Sequence, residues 1–502
     1  MCGIAGQFGI EELCATKQMI TQLSHRGPDG QGVNTLATGS LGHTRLAILD
    51  IAGGHQPICC QNYWISFNGE IYNHAELRAT YLGKHDFQTH TDTEVVLRLY
   101  IEFGDRCVEM LDGMFAFAII HEDSLFLARD PIGVKPLYVG MKNGTIYFAS
   151  EIKALAEATD NICEFPAGHC FHTQTGLRQY YRLGQQQDQN QETGPPFSSQ
   201  TQASHTIHDS VHKAVIKRMM ADVPVGVSLS GGLDSSIVAA VARQVNDQLM
   251  TFAIGVEGSP DLEAAQKVAT YLGTRHHART FTQQEMQQVL PEVIYYLESF
   301  DPALVRSALP NYLLAKLAAE EVKVILTGEG ADELYAGYSY LKLFTKAEEL
   351  DNELRHITRA LHNTNLQRAD RMAMAYGIEA RVPFLDTDSI ALAFSLPPDW
   401  KLCNDGQVEK QLLRNAFADE LPHEIVKRPK LKFSAGAGSS HLLAQIAEDT
   451  ISTTEFINER QRLSQEWNYH LPNKEALYYY RILHDAYQDE WIFPSLGQSH
   501  SL

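Results

Sequence analysis

Short hydrophobic and polar segments alternate along the first hundred residues, a pattern typical of strands joined by turns. Residues 43–50 and residues 64–67 predict two strands, and Asn68-Gly69 predicts a turn after the second one. Residues 91–94 predict the capped start of an apolar helix that continues over residues 95–100. The pattern therefore predicts a mixed α+β domain at the N-terminus.

The second half of the chain has a different pattern. The apolar runs 223–229 and 237–242 predict a strand and a helix, and the glycine-rich segment 230–236 lies between them. A second apolar strand, 322–326, ends in the loop 327–333. Strand–loop–helix units of this kind indicate a parallel sheet with its site at the strand ends, so an α/β domain is predicted.

Polar residues and helix breakers separate the two regions. Residues 184–204 predict a Gln-, Pro- and Ser-rich linker between a domain over 1–183 and a domain over 205–493. Residues 494–502 predict a frayed tail. A chain of 502 residues has room for two such domains.

Charge and cysteine content limit the partners. The net charge of −20 argues against nucleic acid and against an anionic membrane as partners. The eight cysteines include no C-x-x-C pair, which predicts a reducing cytoplasm. No signal peptide and no apolar stretch of membrane-spanning length is evident in the sequence. Small-molecule partners are therefore expected.

Cysteine at position 2 predicts a nucleophile that carries its own base. If Met1 is removed, the Cys2 thiol and a free α-amine share one residue. An α-amine titrates near pH 8 and can take the thiol proton directly or through one water. An inert small hydrophobe is the alternative, and removal of Met1 stays open. Further along the chain, an arginine could hold the α-carboxylate of a glutamine and an acid could hold its α-ammonium. An Asn-Gly pair could hold the oxyanion.

Further motifs carry a resemblance to a known family. With the motifs at 113–118, 128–138 and 148–151, the N-terminal region resembles the glutaminase domain of class II glutamine amidotransferases. The resemblance implies an α+β N-terminal-nucleophile sandwich, with Cys2 as nucleophile and an oxyanion hole of Asn68 and Gly69. The glutamine-binding residues that it implies are Arg45, Leu46, Ala47, Ile48, Leu49, Asn68, Gly69, Glu70 and Asp92. Singly, Arg45 could be a solvated strand residue, Asp92 a helix cap and Asn68-Gly69 a hairpin turn.

The glycine-rich segment predicts a phosphate site. Ser-Gly-Gly-Leu-Asp-Ser at 230–235 points backbone N–H groups and a helix dipole at one spot, and the Walker ending Gly-Lys-Ser/Thr is absent. The motif resembles the pyrophosphate loop of ATP pyrophosphatases; a capping turn without a ligand is the alternative. The acids of loop 327–333 would repel one another without a cation, so Asp234 and Asp332 are candidate Mg²⁺ ligands.

Both halves together resemble the glutamine-hydrolysing asparagine synthetases over nearly the whole chain. This resemblance implies an adenine-nucleotide-binding second domain and amidation of aspartate through an acyl-adenylate, with release of AMP and pyrophosphate. Glu329 would support adenylate formation, and Arg306 and Lys430 would contact substrate carboxylate or pyrophosphate. The implied ATP-binding residues are Ser230, Gly231, Gly232, Leu233, Asp234, Ser235, Ile254, Thr327 and Gly328.

The acceptor carboxylate stays open. This chain has Leu431 and Ala435 where many members of the family carry acids, and Ala303-Leu304 where some carry hydroxyl residues. One alternative is the same mechanism acting on a different carboxylate. Two less favoured ones are a lactam-forming synthetase and a non-catalytic nutrient sensor. The oligomeric state is open as well, with a homodimer as one alternative.

Overall fold

A computed structural model describes most of the chain. The described ranges are 2–9, 13–159, 161–184, 197–403, 407–431, 436–438, 440–467 and 469–487. The predicted tail 494–502, most of the predicted linker and Ala435 lie outside these ranges. A helix begins at Gln200, within the segment 184–204 for which the sequence predicts a linker.

Two antiparallel sheets form the N-terminal part of the described chain. The first has the strand order β10-β8-β9-β1-β3-β2, and the second has the order β12-β11-β7-β6-β5-β4. The strands are β1 Gly3–Phe8, β2 Gly30–Leu36, β3 Gly39–Arg45, β4 Ile58–Cys60, β5 Tyr63–Ile71, β6 Gly113–His121, β7 Ser124–Arg129, β8 Tyr138–Lys142, β9 Thr145–Ala149, β10 Ile162–Glu164, β11 His169–His172 and β12 Gly176–Gln179.

The two sheets pack face to face with helices on their outer faces. Ile4 and Phe148 of the first sheet share a buried apolar layer with Ala116 and Ile120 of the second. The helices of this part are α1 Leu13–Gln22, α2 His74–Tyr81, α3 Asp92–Phe103 and α4 Ile152–Leu155. Helices α1 and α4 contact the first sheet, and α3 contacts the second. This is the predicted N-terminal-nucleophile sandwich.

The local predictions in this domain had different outcomes. Thr91 caps α3 as predicted, because its side-chain oxygen accepts a hydrogen bond from the Glu94 N–H. The predicted turn at Asn68-Gly69 is wrong, since both residues lie inside β5, where Gly69 is opposite Phe115. A Cβ on Gly69 would lie 2.2 Å from the Met114 carbonyl oxygen, so the glycine serves a close strand contact and not a turn.

A parallel sheet forms the second domain, with the strand order β15-β14-β13-β16-β17. Its strands are β13 Val225–Ser228, β14 Met250–Gly255, β15 Arg275–Thr280, β16 Val324–Leu326 and β17 Glu379–Arg381. The helices that follow the linker are α5 Gln200–Lys217, α6 Leu233–Val245, α7 Pro260–Leu272, α8 Gln283–Leu297, α9 Pro302–Ala318, α10 Ala331–Leu334, α11 Ala347–Arg359, α12 Asn365–Met374, α13 Thr387–Ser395, α14 Gln411–Ala416, α15 His423–Val426, α16 Ser440–Thr450, α17 Thr453–Trp467 and α18 Lys474–Tyr487.

Both faces of this sheet are covered, as the predicted α/β class requires. Val227 and Leu326 pack with α6 and α7 on one face, whereas Ile254 and Ile325 pack with α8, α9 and α12 on the other. The chain leaves β13 toward β14 and later returns to β16 on its opposite side. The gap between the carboxyl ends of β13 and β16 is therefore a topological switch point, where open α/β sheets bind ligands.

Candidate active site

The Cys2 thiol lies directly before β1, with 9% of the residue exposed. Its backbone N–H donates to the Asn68 Oδ1 at 3.0 Å, and its carbonyl oxygen accepts from the Arg26 Nε at 3.0 Å. The Sγ lies 3.9 Å from the Leu46 carbonyl oxygen. Burial raises the pKa of the Cys2 thiol. The thiol is thus held in place but needs a base to become a nucleophile at neutral pH.

A candidate oxyanion donor lies beside the thiol. Because the Asn68 Oδ1 is occupied by the Cys2 N–H, the Asn68 Nδ2 is the free end of this amide, and it has no hydrogen-bond partner within the described residues. Gly69 lines the same cavity as Cys2. The middle of β5 therefore supplies an unused amide donor, as the pairing of Asn68 with Gly69 predicts.

A cavity of about 390 Å³ surrounds this thiol. Of the residues that the sequence assigns to glutamine, those that line it are Arg45, Leu46, Ile48, Leu49, Gly69, Glu70 and Asp92. Ala47 is not among the lining residues, and its N–H donates to the Asp29 carboxylate at 2.7 Å. The lining also includes residues that sequence reasoning missed, namely Gly54, Gln56, Phe67, Thr91, Thr93 and Glu379.

Arg45 is a buried residue of this cavity and not a solvated strand residue. It is 6% exposed, and its guanidinium donates to the carbonyl oxygens of Ile51 at 2.9 Å and Asp50 at 2.7 Å. These two bonds fix the segment that follows β3. The sequence predicts that this segment continues the strand to residue 50, whereas β3 ends at Arg45.

Buried carboxylates face the thiol from two domains. Glu70 and Asp92 belong to the sandwich, and Glu379 comes from β17 of the parallel sheet. Burial and the nearby Asp92 raise the pKa of Glu70, and the Arg381 guanidinium opposes this rise. Burial raises the pKa of Asp92 to about 6, although the Ile71 N–H lowers it. A cationic ligand would favour the charged form of these acids.

A second cleft, of about 1070 Å³, lies at the switch point of the parallel sheet. The predicted nucleotide and metal residues that line it are Ser230, Gly232, Leu233, Asp234, Ser235, Thr327, Gly328 and Asp332, together with Glu329 and Lys430. Gly231 has a φ of 68°, and a Cβ there would lie 2.3 Å from the Ala265 backbone nitrogen. Only glycine fits this turn, which carries the chain from β13 into α6.

Two aspartates and two lysines meet in this cleft. Lys410 Nζ lies 2.6 Å from Asp234 Oδ2 and 2.5 Å from Asp332 Oδ1, and Lys430 Nζ lies 2.5 Å from Asp332 Oδ2. Burial acts to raise the pKa of Asp332, but the two lysines lower it to about 2. Asp332 and Asp234 raise the pKa of Lys430 against the effect of burial. The two lysines could bind the oxygens of a triphosphate, and the two aspartates could bind a divalent cation.

Sequence reasoning missed Lys410, which lines this cleft, and Arg368, which contacts the lining residue Glu329. Lys410 lies 176 positions from its partner Asp234, so no local pattern indicates the contact. Arg368 of α12 donates to the Glu329 carboxylate at 2.5 Å. In α12, charged residues stand at buried positions, and such residues need partners in the fold. That is the one signal that could have indicated Arg368.

Three assigned residues do not join the lining of the cleft. Gly231 and Ile254 are absent from it, and so is Arg306, which donates from its Nε to the Glu475 Oε1 at 2.8 Å. Leu431 does line the cleft and is 44% exposed.

Within the described residues, no group of three or more His, Cys, Asp or Glu residues could hold a metal ion by itself. None of the described helices is both long enough and apolar enough to cross a membrane.

Comparison with known proteins matches both halves of the chain to known families. A glutamine amidotransferase domain model matches residues 1–190, and an asparagine synthase model matches residues 206–357 and 342–492. Asparagine synthetase [glutamine-hydrolyzing] 2 of Oryza sativa subsp. japonica is 40% identical over 97% of this chain and 85% of its own length. Asparagine synthetase [glutamine-hydrolyzing] of Zea mays is 41% identical over 96% of this chain and 86% of its own length. Asparagine synthetase B [glutamine-hydrolyzing] of Escherichia coli (strain K12) is 38% identical over 99% of this chain and 93% of its own length. Together with the thiol pocket and the nucleotide cleft, these matches show that the chain belongs to the family of glutamine-hydrolysing asparagine synthetases.

Proposed function

We propose that this chain is a ligase that converts aspartate to asparagine, using ATP and the amide nitrogen of glutamine. The observation that carries the proposal is that one strand lines both pockets. Ala380 of β17 lines the nucleotide cleft, and its neighbour Glu379 lines the thiol pocket. Ammonia released at the thiol would have to reach the cleft past this shared strand. Free ammonia in water at neutral pH would be protonated and lose its nucleophilicity.

In the first pocket, the Cys2 thiol attacks the glutamine side-chain amide. Since burial keeps the thiol protonated, the proton passes to the α-amine that removal of Met1 would expose. The Asn68 Nδ2 and the Gly69 N–H stabilise the tetrahedral oxyanion. The Cys2 α-ammonium returns its proton to the leaving nitrogen, so that collapse of the intermediate releases ammonia and leaves a thioester for water to hydrolyse. Glu70 and Asp92 bind the α-ammonium of glutamine, and Arg45 lies where it can meet the α-carboxylate.

In the second pocket, the substrate carboxylate attacks the α-phosphorus of ATP and displaces pyrophosphate. Lys410 and Lys430 hold the negative charge of the leaving pyrophosphate, and the loop after β13 supplies backbone N–H donors. Ammonia then attacks the acyl carbon and displaces AMP. Adenylation is needed because a free carboxylate is a poor electrophile. Glu329, oriented by Arg368, supports this step.

Magnesium fits the same cleft. Asp234 and Asp332 both contact the Lys410 ammonium, and these two carboxylates would hold the Mg²⁺. Mg²⁺ commonly takes one or two carboxylates and completes its coordination with phosphate oxygens and water. When bound, it neutralises charge on the pyrophosphate. Two carboxylate ligands from the protein suit a metal that arrives with the nucleotide.

The decisive experiment measures products and acceptors together. Incubation of the purified chain with glutamine, aspartate, ATP and Mg²⁺ should give asparagine, AMP and pyrophosphate in equal amounts. Stoichiometric ADP and phosphate would contradict the proposal. Because Leu431 places an apolar side chain at the cleft, other carboxylates should be screened in parallel. An acid that exceeds aspartate in kcat/KM by about tenfold or more would make aspartate the wrong acceptor.

The cellular setting stays a prediction. Cys2, Cys59, Cys60, Cys107, Cys163, Cys170 and Cys403 are free of disulfides, in keeping with the predicted reducing cytoplasm. A homodimer is a further prediction, and a sedimentation measurement would test it. Nucleic acid and membranes have no part in the proposed reaction.

A further inference from the structure

Strand β17 places charged side chains of the synthetase domain against the glutamine pocket. Successive side chains of a strand point to opposite faces. Ala380 accordingly lines the nucleotide cleft, whereas Glu379 lines the thiol pocket and Arg381 contacts Glu70. One three-residue strand thus forms part of both sites.

The Arg381 guanidinium is fixed by four hydrogen bonds and is fully buried. Its Nε donates to the Glu379 Oε1 at 2.6 Å, and one terminal nitrogen donates to the Glu70 Oε2 at 2.9 Å. Its other terminal nitrogen donates to the carbonyl oxygens of Arg218 at 2.7 Å and Met220 at 2.6 Å. A rigid arginine of this kind can define the position and charge of the carboxylate that it contacts.

Glu70 needs cations to stay charged where it lies. It is 3% exposed, and Asp92 of α3 and Glu379 of β17 are further acids near it. The neutral Tyr72 ring and the Arg381 guanidinium also face it. The Glu70 Oε1 has no hydrogen-bond partner within the described ranges, so one oxygen is free to bind a ligand. An ammonium group in the pocket would give the acid a further cation besides Arg381 and the N-terminal amine, both of which lower its pKa.

We propose that Arg381 is a positioning residue of the glutaminase site, which holds the Glu70 carboxylate so that its free oxygen binds the α-ammonium of glutamine. This inference rests on the proposed function, because it takes Glu70 as a glutamine-binding residue. The glutamine pocket is then incomplete without the synthetase domain. Arg381 does not contact the reacting amide, so its removal should weaken glutamine binding more than it slows hydrolysis.

The charge balance gives the direction of the pH effect. Loss of Arg381 removes the group that opposes protonation of Glu70, so its pKa rises further. Glutamine binding needs the charged form. The acidic limb of the glutaminase kcat/KM profile should therefore move to higher pH in Arg381→Gln, by about one pH unit or more. A merely structural role for Arg381 would lower activity without moving this limb.

The test compares glutamine with glutaramate, which has the same side-chain amide but no α-ammonium. In Arg381→Gln, KM for glutamine should rise more than about tenfold, while KM for glutaramate and kcat change less than about threefold. Arg381→Lys, which keeps the charge, should recover part of the preference for glutamine. Arg218→Gln is the matched control, since Arg218 is a buried neighbour that pairs with Asp386 and not with Glu70. The Arg218→Gln variant should keep the preference for glutamine over glutaramate.

The outcomes separate the two proposals. If the unaltered enzyme does not hydrolyse glutamine, the proposed function fails. If it does, and Arg381→Gln raises both KM values equally or neither, the role of Arg381 is refuted. Ammonia-dependent asparagine synthesis reports whether each variant is folded. Should Arg381→Gln fail to fold, Arg381→Lys decides: loss of the glutamine preference with the charge retained would overturn the inference.

Discussion

The buried ion network between the two domains allows a sharp stability prediction. Three cations surround the Glu151 carboxylate, which is 1% exposed: the distances are 2.6 Å from Arg26, 2.6 Å from Lys153 and 2.7 Å from Arg371. Arg371 belongs to α12 of the synthetase domain, and Arg26 also bonds the Cys2 carbonyl oxygen. Glu151→Gln keeps the volume of the side chain but removes its charge.

The expected cost of Glu151→Gln follows from burial. Removing one partner of a buried ion pair leaves an uncompensated charge and costs about 3–5 kcal/mol. This is a large fraction of the about 5–15 kcal/mol by which a native protein is stable. Burial and the surrounding cations hold the pKa of His25, whose Nε2 lies 3.0 Å from Glu151, well below its usual range, so His25 adds no further positive charge to the cluster.

Urea unfolding followed by tryptophan fluorescence measures the effect. The matched control is Glu424→Gln, which breaks a 3.0 Å contact with Lys267 in which both side chains are more than half exposed. An exposed pair of this kind contributes about 0.2–1 kcal/mol, so the control should be nearly neutral. Equal losses of stability in the two variants would refute the reasoning that burial sets the cost.

Other predictions concern catalysis and pH. Cys2→Ala should abolish glutamine-dependent synthesis but keep synthesis from ammonium, measured as asparagine; Cys163→Ala, at an exposed cysteine, should change neither. Asp234→Asn should lose synthesis and keep glutaminase activity, because its contacts with Lys410 and Lys430 belong only to the nucleotide cleft; loss of both activities would contradict this. Burial lowers the pKa of His208, but hydrogen bonds to Glu420 and Asp209 raise it above its usual value overall. That stabilisation is present below the unfolded pKa and is lost as pH rises, so His208→Gln should reduce the free energy of unfolding at about pH 5.5 more than at about pH 9.

Local patterns in the sequence predicted the elements on which the site is built. The apolar runs on either side of the loop at 230–235 predicted β13 and α6, and Thr91 predicted the start of α3. Such features depend on a few adjacent residues, whose hydrogen bonds and side-chain periodicity act over one turn or one strand. The motifs around Cys2 and the pyrophosphate loop likewise consist of a few adjacent residues, and they predicted glutamine hydrolysis and adenylation.

Only the tertiary structure decided how the two sites share their residues. Asn68-Gly69 has the local signature of a turn, yet pairing of β5 with β6 from Trp64 to Ile71 keeps both residues in a strand. Lys410 joins Asp234, and Arg381 joins Glu70 over a separation of 311 positions. Arg306, assigned to the substrate, instead pairs with Glu475 of the last described helix. Contacts at such separations arise when packing removes whole elements from water, and burial then requires each charge to have a partner that no local pattern names.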